Sequence, residues 1–194
     1  SSQSRGLGDV YKRQSDYKAA KEFYVLLYEF NVGMKNYLKG RDLPYETLED
    51  IVAFNEANSD TVLKYFGQEI FLESLKATDT ERYLKEREDI GKLAKAQIDS
   101  VLEENNLDVI IGLTRNPGWL TDLENGDSRG DGGISWANGG LSAVAGYPHI
   151  TIPLDFVNNL PVGVSFLGTA WDEANLINAA YSFEQENKFF PIPK

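Results

Sequence analysis

His149 is the only histidine in the chain, and there is no cysteine. A Ser-His-Asp relay would therefore have to be built around His149. That residue sits in an apolar, strand-like run beside Pro148, and no Gly-x-Ser-x-Gly elbow is expected in the chain. His149 reads as a histidine on a strand surface. One imidazole and no thiolate do not make a zinc site, so no metal is expected. The acidic stretch Asp122–Gly133 offers carboxylate oxygens from Asp122, Glu124, Asp127 and Asp131, but without the closing carboxylate of a calcium-binding loop. It reads as a solvated, turn-rich loop. Arg129-Gly-Asp131 is too short a match to carry an adhesion function, and no phosphate-cradling glycine loop follows a strand. No cofactor is expected.

Two tryptophans are more informative. Trp119 and Trp136 lie in the glycine-rich segment Thr114 to Asn138, which follows an apolar run and is too long for an ordinary connector. Beyond the carboxyl end of a strand is where α/β folds bind ligands, and an indole offers both an apolar face and an N–H donor. The same side chains could equally cover the edge of the core.

The elements that must position these residues follow from periodicity. Phe23, Leu26, Leu27, Phe30, Met34, Tyr37 and Leu38 recur at helical spacing, with Gly40 as the stop. Thr47 and Asp50 predict a capping box and a second helix, and another helical stretch around Val62 to Leu75 is interrupted near Gly67. Thr78 with Glu81 predicts a further box, opening a helix to about Glu104. After Asn105 the pattern changes. Asp108–Leu113 is a continuous apolar run, read as a strand buried on both faces. Leu141–Ala145 reads as a short helix ended at Gly146, and His149–Leu154 and Val162–Leu167 as strands joined by a hairpin at Asn158-Asn159. Thr169 and Asp172 predict a capped final helix.

A net charge of −11, from 19 basic and 30 acidic residues, argues against attraction to nucleic acid or an anionic membrane surface. No apolar run approaches the roughly 20 residues that cross a bilayer. Residues 1–14 lack periodicity, and Asp9–Gln14 resembles one reading frame of a transposase mosaic-end sequencing adapter. That segment is set apart as adapter or disordered tail, leaving 15–194 as the folded portion. The compartment is undetermined by these residues, with the cytoplasm as the default expectation.

Four blocks in order carry a family resemblance: Ala143–Pro153, Leu160–Gly168, Ala170–Ala174 and Ala180–Gln185. They resemble the closing segment of amidase-signature enzymes. Ala53–Ala57, Tyr65–Glu69 and Thr121–Asp127 resemble the subgroup containing peptide amidases and relatives of the amidotransferase A subunit. The resemblance implies an α/β fold, the C-terminal part of the amidase-signature fold, in which helices pack on a mixed β-sheet and the N-terminal half is mostly helical.

It also implies a hydrolase of carboxamide C–N bonds acting on a small-molecule or peptide amide. The family's chemistry uses a lysine, a serine in a cis peptide bond and a nucleophilic serine in a Gly/Ser-rich stretch. None of these has a counterpart here, so the resemblance assigns no catalytic residue to this chain and implies a fragment inactive alone. By position it implies that Thr114, Pro117, Trp119, Trp136 and Asn138 line the substrate pocket. Where the family commonly reads Ala-Pro-Thr, this chain has Gly112-Leu113-Thr114, which changes the shape of that rim. The alternative is a non-catalytic binding or structural module on the same scaffold. In a fragment of that fold, unpaired strand edges predict poor solubility, partial disorder or self-association into a dimer or other homo-oligomer.

Overall fold

The computed structural model describes residues 21–124 and 139–189. They divide into a helical unit (21–88 with 121–124) and an α/β unit (89–120 with 139–189).

The helical unit contains α1 (Lys21–Leu38), α2 (Leu48–Ala57), α3 (Ser59–Val62), α4 (Glu69–Lys76) and the first residues of α5 (Thr80–Asn105). Gly40, at φ 75°, takes the left-handed conformation that ends α1. The expected box at α2 is present: Thr47 Oγ1 accepts from the Asp50 amide at 3.3 Å, and Asp50 Oδ2 accepts from the Thr47 amide at 2.9 Å. Hydrogen bonds from the Glu46 amide and then from Thr47 lower the Asp50 pKa. At α5 the cap differs from expectation. Asp79 Oδ1, not Thr78, accepts from the Arg82 amide at 2.9 Å. A carboxylate one residue nearer the helix met the geometric need first.

Helix α1 joins its neighbours through Asn31, which donates to the Ser74 carbonyl, the Phe30–Phe71 ring pair at 5.2 Å, and the Tyr28–Tyr83 stack at 4.2 Å. Of its expected apolar stripe, Leu27 and Leu38 are buried, whereas Phe23, Leu26, Phe30 and Tyr37 stay exposed. Helical spacing identifies a face, but only a partner surface can cover it.

The α/β unit holds the rest of α5, β1 (Ile110–Leu113), α6 (Gly140–Ala145), β2 (His149–Val157), β3 (Leu160–Leu167) and α7 (Glu173–Asn187). The sheet order is β1-β3-β2, and both pairings are antiparallel. Any parallel pair of a mixed sheet would need strands outside the described residues. The β2–β3 hairpin turns on Asn158 and Asn159, at φ 52° and 63°. Positive φ at both positions is the turn whose twist matches the flanking strands. Gly146, at φ 69°, ends α6: its amide donates to the Ala143 carbonyl, and the Tyr147 amide to the Ser142 carbonyl.

Helices cover both faces of this sheet. On one, Leu167 and Ile110 pack with Ala94, Ile98, Val101 and Leu102 of α5 and with Leu141 and Ala145 of α6. On the other, Ile152, Val164 and Phe166 pack with Leu176 and Ala180 of α7. Each fully buried Val, Leu, Ile or Phe side chain among these contributes about 1.5–3 kcal/mol. Strand β1 corrects one expectation. Ile110 is buried, but Ile111 and Leu113 are 40% and 44% exposed, so the strand is not buried on both faces. A short apolar run cannot show whether one or both faces of a strand are covered. The box expected at α7 is also absent. Thr169 instead donates to Asp99 Oδ1 at 2.8 Å, while Asp172 Oδ2 accepts from Asn175.

The Asn-Asn turn yields a prediction. Asn159→Gly should raise stability by about 0.5 kcal/mol, because glycine takes positive φ without a Cβ penalty. Asn159→Val should lower it, and urea denaturation of the two variants against the parent chain checks both signs.

Candidate functional site

The expected pocket wall begins where β1 ends. The Thr114 amide donates to the Gly163 carbonyl at 2.9 Å, which carries the β1–β3 ladder one residue past the strand. Antiparallel register sets Gly112 opposite Ser165, and Ser165 opposite Thr151 on β2. Period-two alternation points Ser165 and Leu167 to one face of β3 and Val164 and Phe166 to the other.

Three hydroxyls from three neighbouring strand ends therefore meet. Thr114 Oγ1 and Ser165 Oγ are 2.8 Å apart, Thr151 Oγ1 and Ser165 Oγ 3.1 Å, and Thr114 Oγ1 donates to Thr151 Oγ1 at 3.4 Å. Ser165 is fully buried, Thr114 half-buried and Thr151 exposed, so the cluster reaches from the interior of the sheet to its surface. Gly163 makes the closure sterically possible. A Cβ there would lie 2.8 Å from Thr151 Cγ2, 2.9 Å from Thr114 Oγ1 and 3.3 Å from the Ile152 carbonyl oxygen.

Of the residues expected to line the pocket, Thr114 belongs to this cluster. Pro117 is half-buried in the segment that follows, and Trp119 is 41% exposed with the Arg115 guanidinium 5.8 Å from its ring centroid. Trp136 and Asn138 lie outside the described residues. So do Asp127 and Asp131 of the acidic loop, and Ser128 in the Gly126-Asp-Ser-Arg-Gly130 string, whose letters match a nucleophile elbow and correct the expectation that the chain holds none. Within the described part of the loop, Asp122 Oδ1 accepts from the Glu124 amide at 3.1 Å, an ordinary turn. Among the described residues no group of His, Asp or Glu is arranged to hold a metal ion, and no helix is long and apolar enough to cross a membrane.

His149 is half-buried, which corrects the strand-surface expectation. Its Nε2 is buried and has no hydrogen-bond partner among the described residues. Burial lowers its pKa below the ordinary 6.5. With Nε2 unpartnered, His149 forms no relay among the described residues.

Sequence reasoning missed Thr151 and Ser165. Their signal was polar residues recurring inside apolar strands, which gains meaning only when the register is known. It also missed Asp99, where Oδ2 accepts from the Tyr147 hydroxyl at 2.7 Å and Oδ1 from Thr169. Burial, then the bond to Asp99, raises the Tyr147 pKa. Asp99 lines a cavity of about 250 Å³ together with Glu103, Asp108, Thr169, Asp172 and Asn175.

No protein-family model matches the chain. A probable amidase of Arabidopsis thaliana is 30% identical over 178 residues, covering 89% of this chain and 30% of that protein. The glutamyl-tRNA(Gln) amidotransferase A subunit of Lysinibacillus sphaericus is 33% identical over 150 residues, covering 73% of this chain and 30% of that one. The native peptide amidase of Stenotrophomonas maltophilia matches in structure with a TM-score of 0.80 and 33% identity, over 93% of this chain and 36% of that chain. This chain spans about a third of the length of these relatives.

Two outcomes follow from the site's geometry. Gly163→Ala should cost about 1–3 kcal/mol, since the Ile152 carbonyl is backbone and cannot swing aside; urea denaturation reads this. For His149, a lowered folded-state pKa means that its contribution to stability is fully present above 6.5 and is lost as pH falls below that value. The urea midpoint should therefore fall on acidification through this range, and His149→Asn should flatten that part of the profile.

Proposed function

This chain belongs to the amidase-signature family and shares its α/β fold, and from that premise we propose that it is the C-terminal portion of an amide-bond hydrolase, supplying one wall of the substrate pocket. The observation that carries this reading is a match extending over most of this chain but only about a third of each relative. The four ordered blocks between Ala143 and Gln185 add support, because they resemble the family's closing segment. Residues 15–194 are then the family portion and 1–14 adapter sequence or a disordered tail.

In this reading the catalytic lysine, the cis-bonded serine and the nucleophilic serine lie upstream. The only adjacent serine pair in these 194 residues is Ser1-Ser2. The lysine, acting through the bridging serine, takes the proton of the nucleophile, whose oxygen attacks the carboxamide carbon. The C–N bond breaks, the amine leaves protonated, and water then hydrolyses the acyl-enzyme. Thr114, Pro117, Trp119, Trp136 and Asn138 contact the substrate from this chain's side. The substrate is a small or peptide carboxamide, and the reaction requires no cofactor.

The test is to translate the genomic sequence upstream of Ser15 and assay the longer product for ammonia release from a peptide amide. The reading expects a lysine followed by a Gly/Ser-rich stretch, turnover by the longer protein, and only the uncatalysed rate for this chain alone. An open reading frame starting near Ser15, or a longer protein without the serines, would leave a non-catalytic module instead.

A further inference from the structure

The three hydroxyls at the end of β1 form a closed ring, and a closed ring has a defined polarity. Thr114 donates to Thr151. The other two contacts allow either direction, so the arrangement that gives every hydroxyl one donor and one acceptor role is head-to-tail: Thr114 to Thr151, Thr151 to Ser165, Ser165 to Thr114. Each hydroxyl has one proton and two lone pairs. The ring therefore consumes all three protons and leaves each oxygen one lone pair.

Such a group can accept hydrogen bonds from an incoming molecule but has no proton to offer it without breaking its own bonds. Thr151 is exposed, so an incoming group can reach the ring, and the fully buried Ser165 fixes it to the sheet. Gly163 sits beneath the cluster, where any Cβ would separate Thr114 from Thr151. The chain's net charge of −11 acts in the same direction, against anionic ligands.

We propose that the Thr114–Thr151–Ser165 ring is a subsite that accepts the N–H of a primary carboxamide and discriminates against isosteres that lack this donor. The proposal rests on the amide-hydrolase reading above for its ligand class, and it adds Thr151 and Ser165 to the pocket. A site that accepts from a ligand N–H rejects the analogue without it, because the ring's lone pairs lose water and gain nothing in return.

The experiment is an NMR titration of the ¹⁵N-labelled chain with N-acetylglycinamide and, separately, with the matching methyl ketone, which replaces the amide nitrogen by carbon and is not hydrolysed. The expected result is saturable shifts centred on Thr114, Thr151 and Ser165, with the ketone binding about tenfold more weakly. Thr151→Val keeps the shape and should abolish that preference, while Thr151→Ser should retain it. Because Thr151 is exposed, the Val variant should stay folded, and its spectrum verifies this directly. Equal binding of amide and ketone, unchanged preference in the Val variant, or no saturable shift at these residues would each overturn the proposal. Amide-selective binding here together with an inactive longer protein would instead bring down the hydrolase reading and leave the subsite standing.

Discussion

Strand β3 is the only described strand with partners along both edges, and it is also covered on both faces. Its successive side chains are thus committed to opposite tasks. Leu167 joins the core built by α5 and α6, and Phe166 and Val164 join the core built with α7. A slip of one residue would exchange these sets and put Ser165 among the apolar side chains of α7. The register is held where two independent cores agree with it, and the Asn158-Asn159 turn adds a third constraint at one end of the hairpin.

The hydroxyl ring depends on that register. Thr114, Thr151 and Ser165 come from segments as many as 51 positions apart in sequence, and they meet because the antiparallel pairings align them and Gly163 leaves room. A polar cluster at a sheet surface is stable only when its donors and acceptors find one another. Asp99 shows the same accounting elsewhere in the unit, with both carboxylate oxygens engaged, one by Tyr147 and one by Thr169. Thr169 lies three residues before Asp172, the N-cap position of α7, and its hydroxyl serves Asp99.

The helical unit is held differently. Ring pairs, a capping box and side-chain bonds to carbonyls surround a small buried set of Val25, Leu38, Leu48, Val52 and Ala77, while much of the apolar stripe of α1 faces solvent. Exposed apolar area of this kind marks a surface suited to another partner surface. The amphipathic spacing of α1 specifies the stripe and is silent about its cover.

Local physics made much of this protein legible in its sequence. The Thr47–Asp50 box, the left-handed stops at Gly40 and Gly146 and the Asn-Asn hairpin all rest on residues within a few positions of one another, and their stereochemistry is intrinsic. The ordered blocks from Ala143 to Gln185 likewise identified the family, since they are text rather than geometry. What depended on residues far apart was decided only in three dimensions. Whether both faces of β1 would be covered turned on what packs there, and Ile111 and Leu113 stay exposed. That Thr169 would serve Asp99 turned on a contact 70 residues away in sequence. Thr114 could be picked from its position, but its partners Thr151 and Ser165 could not, because a hydroxyl in a strand acquires a neighbour only through the register of the sheet.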